Sequence, residues 1–129
     1  MLVQFDEFRT EVATLTHGLA LVSVAGELDL YTSETVREAL EVTSSDAETV
    51  VLDLSAVEFV DSTALGMLVG ESKRLRDRGG RLALVFDDER TKRVFEVTGL
   101  DRVIRRYPSL ADALSELLPK VREAAAVDS

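Results

Sequence analysis

"FVDSTALGMLVG", residues 59–70, is the stretch whose reading decides the fold. An apolar, strand-like run halts at Asp61, two hydroxyl side chains follow, and leucine, methionine and valine then return at helical spacing, interrupted by Gly66 and Gly70. Such a handover from strand to helix is the join of a βαβ unit. Immediately before it, "TVVLDLS" (49–55) is a β-branched apolar run of the kind found in a central strand covered on both faces. After it, Leu65, Leu68, Ser72 and Leu75 fall on one helical face, and "DRGG" (77–80) offers Gly79 for a left-handed stop.

Working outward, "RLALVF" (81–86) is a second buried strand, and "DDERTKRVFEVTGL" (87–100) a helix with acids at its start, Val94 and Phe95 inward, and Gly99 as its stop. "RVIRR" (102–106) reads as a weak edge strand whose three arginines discourage edge pairing, so a monomer is expected. "PSLADALSELL" (108–118) is the last helix: Leu110, Ala113, Leu114, Leu117 and Leu118 share a face, Ser109 and Asp112 occupy capping-box positions, and Pro119 limits its continuation. Toward the start, residues 8–15 alternate as a strand, "HGL" (17–19) is a turn containing His17 as a surface residue, and "LALVSVAG" (19–26) completes a hairpin. "YTSETVREALEV" (31–42) is a helix with Val36, Ala39, Leu40 and Thr43 on one face and Thr32 or Ser33 as N-cap.

The expectation is a single α/β domain over residues 1–118: a mostly parallel sheet of four to five strands, an antiparallel N-terminal hairpin strand and about four helices, with 119–129 a frayed tail. Length supports one domain: 129 residues are enough for a real core and too few for two.

With 46% hydrophobic and 30% charged residues, the chain has the composition of an ordinary globule. It has no cysteine, which removes disulfides, thiolate catalysis and cysteine-held metals. Its acidic opening lacks a signal-peptide pattern, and no run approaches the ~18 apolar residues of a membrane span, so a cytoplasmic location away from membranes is expected. A net charge of −9 repels nucleic acid and favours protein partners with basic surfaces.

Glu27, Asp29, Asp53, Asp61, Asp87 and Asp88 fall near strand ends, where open α/β sheets place their sites. Turn formation and helix capping explain each of them individually. A phosphoacceptor aspartate would want a lysine at a later strand end, and none follows "RLALVF". A serine nucleophile would want a histidine base and a G-x-S-x-G elbow, and neither accompanies Ser62. No phosphate loop is present either, so no catalytic residue, metal or cofactor is assigned and no enzyme is expected. For Ser62 the plain role is a helix cap. Against that, Asp61 can already cap, and Gly66 and Gly70 each cost ~1 kcal/mol inside a helix, which points to a close neighbour on that face, the sheet being the simplest.

The same stretch resembles the D-S-[ST]-G-L-G-x-L signature of anti-sigma factor antagonists, members of the sulfate-transporter and anti-sigma-antagonist (STAS) domain family. "AGELDLYT" (25–32), "VVLDLSAVEFVDS" (50–62) and "VFEVTGLDRVI" (94–104) agree with the family in order and spacing, so the likeness covers residues 8 to 118. It implies that Ser62, with Thr63 as a secondary candidate, is phosphorylated by an anti-sigma factor that is also a serine kinase. The unphosphorylated protein would bind that partner and free a sigma factor, and a PP2C-type phosphatase would restore the binding form. Glu27, Asp29, Asp61, Ser62, Thr63, Ala64 and Gly66 would then border the partner surface. Ala64 departs from the family's usual glycine and stiffens the first helical turn. The alternative role within the same family is a constitutive scaffold or accessory subunit of a stress-sensing or lipid-transport complex.

Overall fold

The computed structural model describes residues 8–16, 18–45 and 47–128. His17 lies outside them. Arg9–Thr16 (β1) pairs antiparallel with Leu19–Leu28 (β2), and Thr49–Val60 (β3), Arg81–Val85 (β4) and Arg105–Tyr107 (β5) add in parallel, giving one sheet in the order β1-β2-β3-β4-β5. Ser33–Ser44 (α1), Ser62–Asp77 (α2), Glu89–Thr98 (α3) and Leu110–Asp128 (α4) complete the α/β fold expected from the sequence.

The period-2 alternation of the strands separates two cores. Val50, Leu52 and Leu54 of β3 meet Val36 and Leu40 of α1, Leu68 and Leu75 of α2 and Phe95 of α3 on one face. Val51 on the other face meets Ala113 and Leu117 of α4, with Leu110, Leu114 and Leu118 packed around them. The first half of β3, from Thr49 to Leu54, is therefore buried on both sides, as its unbroken apolar run requires. On α2 the fully buried stripe is Ala64, Leu68, Glu71, Ser72 and Leu75, with Leu65 half-buried beside it.

Three expectations need correction and a fourth needs refinement. β3 continues five residues past Ser55 because β2 runs beside it to the end, Leu28 opposite Val60, whereas β4 stops opposite Asp53. The final stretch of β3 is thus a two-stranded projection beyond the main sheet. A bulge at Gly26, held at φ +100°, lets β2 follow it. The "RVIRR" strand is shifted: Leu100–Arg102 form a 3₁₀ turn, buried Ile104 anchors the chain, and pairing begins only at Arg105. Pro119 does not end α4, whose backbone stays helical past it; a proline removes one N–H bond while the turns on either side keep theirs. Thr32 is the N-cap of α1, one of the two residues expected, but its side chain makes no capping bond; Asp29 Oδ1 instead closes the turn before the helix, accepting from the N–H groups of Tyr31 at 2.9 Å and Thr32 at 3.0 Å.

Gly99 takes the left-handed stop, at φ +78°, and Ser109 with Asp112 forms the cap at the start of α4. Gly80 is fixed by crowding: a Cβ there would lie 2.4 Å from the Glu48 carbonyl oxygen, which accepts the Arg81 N–H at 2.8 Å. Gly80→Ala is expected to cost at least about 2 kcal/mol of stability, measured by urea unfolding, because backbone must move to admit the methyl.

Candidate functional site

The projecting ends of β2 and β3, the turn at 29–32 and the first turn of α2 meet at one pole of the sheet. Asp61 ties them together. It is the N-cap of α2, extended at φ −94° and ψ 177°, and its Oδ1 accepts from the Ala64 N–H at 2.9 Å. Its Oδ2 accepts from the Leu30 N–H at 2.9 Å, across 31 residues of sequence, and its own N–H donates to the Leu28 carbonyl at 3.1 Å. A single carboxylate therefore closes the helix and pins the β2–α1 turn against it.

That turn is internally fixed as well. Asp29 accepts from the Tyr31 and Thr32 N–H groups, and the Thr32 hydroxyl donates to the Glu27 carbonyl at 2.7 Å. The Asp29 carboxylate is thus spent on backbone, and the two residues it turns outward, Leu30 and Tyr31, are 60% and 86% exposed. Phe59, opposite Glu27 across the β2–β3 pair, is 46% exposed. Three large apolar side chains stand in solvent around one polar helix start, which marks a contact surface.

Ser62 is the first residue of α2, exposed, and among the described residues no hydrogen bond engages its hydroxyl. The plain capping role fails for it, because Asp61 already holds that position. Thr63 is exposed beside it. Ala64 is fully buried in the core, so its methyl faces the sheet and is withdrawn from the surface that the sequence assigned it to. Gly66 and Gly70 are exposed, and a Cβ on either would meet nothing within 4 Å. The close neighbour expected for them is therefore not the sheet, and among the described residues their helical cost has no packing reason.

The other strand-end acids serve locally. Asp53 accepts from the Ser55 N–H at 2.9 Å, Asp88 caps α3 through the Thr91 N–H at 2.9 Å, and Asp87 lies 3.4 Å from the Lys92 ammonium. Glu27 is exposed, and among the described residues neither it, Asp29 nor Asp61 joins an ion pair, so the pole keeps its negative charge. Sequence reasoning found the acids and hydroxyls here and missed Leu30, Tyr31 and Phe59. The signal for Leu30 and Tyr31 was the Asx-type turn "DLYT", whose central residues sit at a turn tip; Phe59 lies on β3 and carried no such signal.

The division of labour between neighbours is testable by thermal or urea unfolding. Asp61→Ala should cost about 1–3 kcal/mol, losing the cap and the Leu30 tether together. Ser62→Ala should stay within about 0.5 kcal/mol of wild type. Gly66→Ala and Gly70→Ala should each stabilise the fold by about 0.5–1 kcal/mol, since both sites are helical and open.

Comparison with known proteins places this geometry. The STAS domain family model matches residues 11–113. An anti-sigma-B factor antagonist of Listeria monocytogenes is 45% identical over 84 residues, covering 64% of this chain and 74% of that protein. The anti-sigma-F factor antagonist RsfB of Mycobacterium tuberculosis is 35% identical over 100 residues, covering 77% and 81%. Among solved structures, an anti-sigma factor antagonist from Mycobacterium paratuberculosis superposes with a TM-score of 0.75 at 35% identity, over 88% of this chain and 97% of that one.

Proposed function

Because the chain belongs to the STAS domain family, we propose that it is an anti-sigma factor antagonist whose binding is switched by phosphorylation of Ser62. The observation that carries the reading is the pairing at the start of α2: Asp61 performs the capping, which leaves the Ser62 hydroxyl exposed and unbonded beside an apolar rim. A serine without a structural task, on the same pole as exposed Leu30, Tyr31 and Phe59, suits a group that a docked kinase reaches. No helix among the described residues is long and apolar enough to cross a membrane, and we place the switch in the cytoplasm.

In the proposed step, the Ser62 oxygen attacks the γ-phosphorus of ATP held by an anti-sigma factor with serine kinase activity. The bond to the β,γ-bridging oxygen breaks, ADP leaves, and the hydroxyl proton passes to a base on the kinase. The product is locally tolerable. Asp61 consumes the Ala64 N–H but leaves those of Ser62 and Thr63, so a phosphate meets free donors and the positive end of the helix dipole. The domain stays folded, and the effect falls on the interface.

There the added charge of about −1.5 to −2 joins Asp61, Glu27 and Asp29, acids that join no ion pair among the described residues. Docking would then bury an anion among anions, and a loss of ~3 kcal/mol weakens association about a hundredfold. Removal of the phosphate by a PP2C-type phosphatase would restore binding and release the sigma factor again. Gly66, lying bare on the same helix, lets a partner backbone approach.

The test is intact-mass analysis after incubation with MgATP and each candidate anti-sigma factor kinase of the same organism in turn. One phosphate on the wild type, none on Ser62→Ala and one on Thr63→Ala are expected, with binding of the phosphorylated form to the kinase weakened about a hundredfold. An unmodified wild type, or a phosphorylated form that binds as tightly as before, overturns the proposal.

A further inference from the structure

A second feature lies at the opposite end of α2. Because β5 begins at Arg105, opposite Ala83, the first residues of β4 have no strand on that side. The gap is a cavity of about 310 Å³ bounded by α2, β4, the approach to β5, and α4. Its lining carries Arg76, Arg81, Arg105 and Lys120 against one carboxylate, Glu116. In a chain of net charge −9, a concentration of four cations around one opening runs against the overall balance.

The pairing inside it is incomplete. Glu116 takes both Arg105, at 2.7 Å, and Lys120, at 3.3 Å, and its carboxyl is held below the usual range chiefly by the Arg105 hydrogen bond. Arg76 and Arg81 join no ion pair among the described residues. Two further donors face the space. Burial, partly opposed by Arg105, raises the Tyr107 phenol, which keeps its proton at neutral pH. The Leu82 N–H is turned toward β5, since the neighbouring Arg81 N–H bonds to Glu48 on the other side, and no strand residue stands opposite it.

We propose that this cavity binds a phosphorylated small molecule carrying two or more negative charges. Like charges that share one opening repel each other until an anion enters, and Arg76 and Arg81 are the pair left to receive it. The lining groups converge from α2, β4, β5 and α4, which suits a tetrahedral head with three oxygens better than a planar carboxylate with two. The volume is at the small end of ligand sites, so a compact metabolite fits and a polymer does not. From Ser62 to Arg76 is ~21 Å along α2, so the cavity stays open when a partner covers the Ser62 pole.

Pyrophosphate is the probe, titrated calorimetrically at millimolar concentration and constant ionic strength, with citrate as the carboxylate comparison. Saturable binding of pyrophosphate is expected, with citrate weaker. Arg76→Ala combined with Arg81→Ala should weaken it by at least about tenfold, while the equally charge-depleting pair Arg78→Ala and Arg90→Ala, both exposed and outside the cavity, should leave it unchanged. No saturable binding, equal loss in both double variants, or citrate as tight as pyrophosphate overturns the assignment.

Discussion

The Asp61 carboxylate is the interaction on which the functional pole depends. One oxygen closes the helix that follows it, and the other reaches the turn after β2. Removing it would loosen two structures that are far apart in sequence and share no other hydrogen-bonded side chain among the described residues. The geometry also explains the residue type. Only a short side chain with two acceptor atoms on an extended backbone can serve Ala64 ahead of it and Leu30 beside it. A serine at the same position would satisfy one donor and leave the turn untethered.

Because that position is occupied by an acid, the next residue is released from structural duty. This is how the fold makes Ser62 available: the helix is capped without it, the core begins two residues later at Ala64, and the projection of β2 and β3 past the end of β4 carries the whole assembly clear of the main sheet. Rigidity and exposure are usually in conflict. Here a two-stranded ladder supplies the first and its overhang supplies the second.

Much of this was legible in the sequence, for identifiable reasons. β3, β4 and the apolar stripe of α4 declare themselves because burial on one or both faces constrains every residue, and Gly99 because left-handed backbone favours glycine. The likeness at "DSTALG" located the pole. What escaped was set by neighbours outside the local window. β3 outlasts its apolar run because β2 remains beside it, and β5 is short because Leu100–Arg102 coil first. Thr32 caps α1 by position without a side-chain bond, because Asp29 fixes the preceding turn by accepting from two successive N–H groups. The exposure of Gly66 and Gly70 was hidden because their helical cost suggested a close neighbour in the sheet, and among the described residues no such neighbour stands there.

That last point separates the two ends of α2 in kind. At its start the helix gives up stability, with glycines on open surface and apolar side chains in water, and the described residues supply nothing that offsets it. At its end the chain accumulates like charges around a gap in the sheet. The two costs differ chemically, apolar and acidic at one pole, cationic at the other, so no single ligand relieves both. Each end of α2 is thus incomplete in its own way, and the two proposed contacts, a protein at the start and a small anion at the end, are chemically separable.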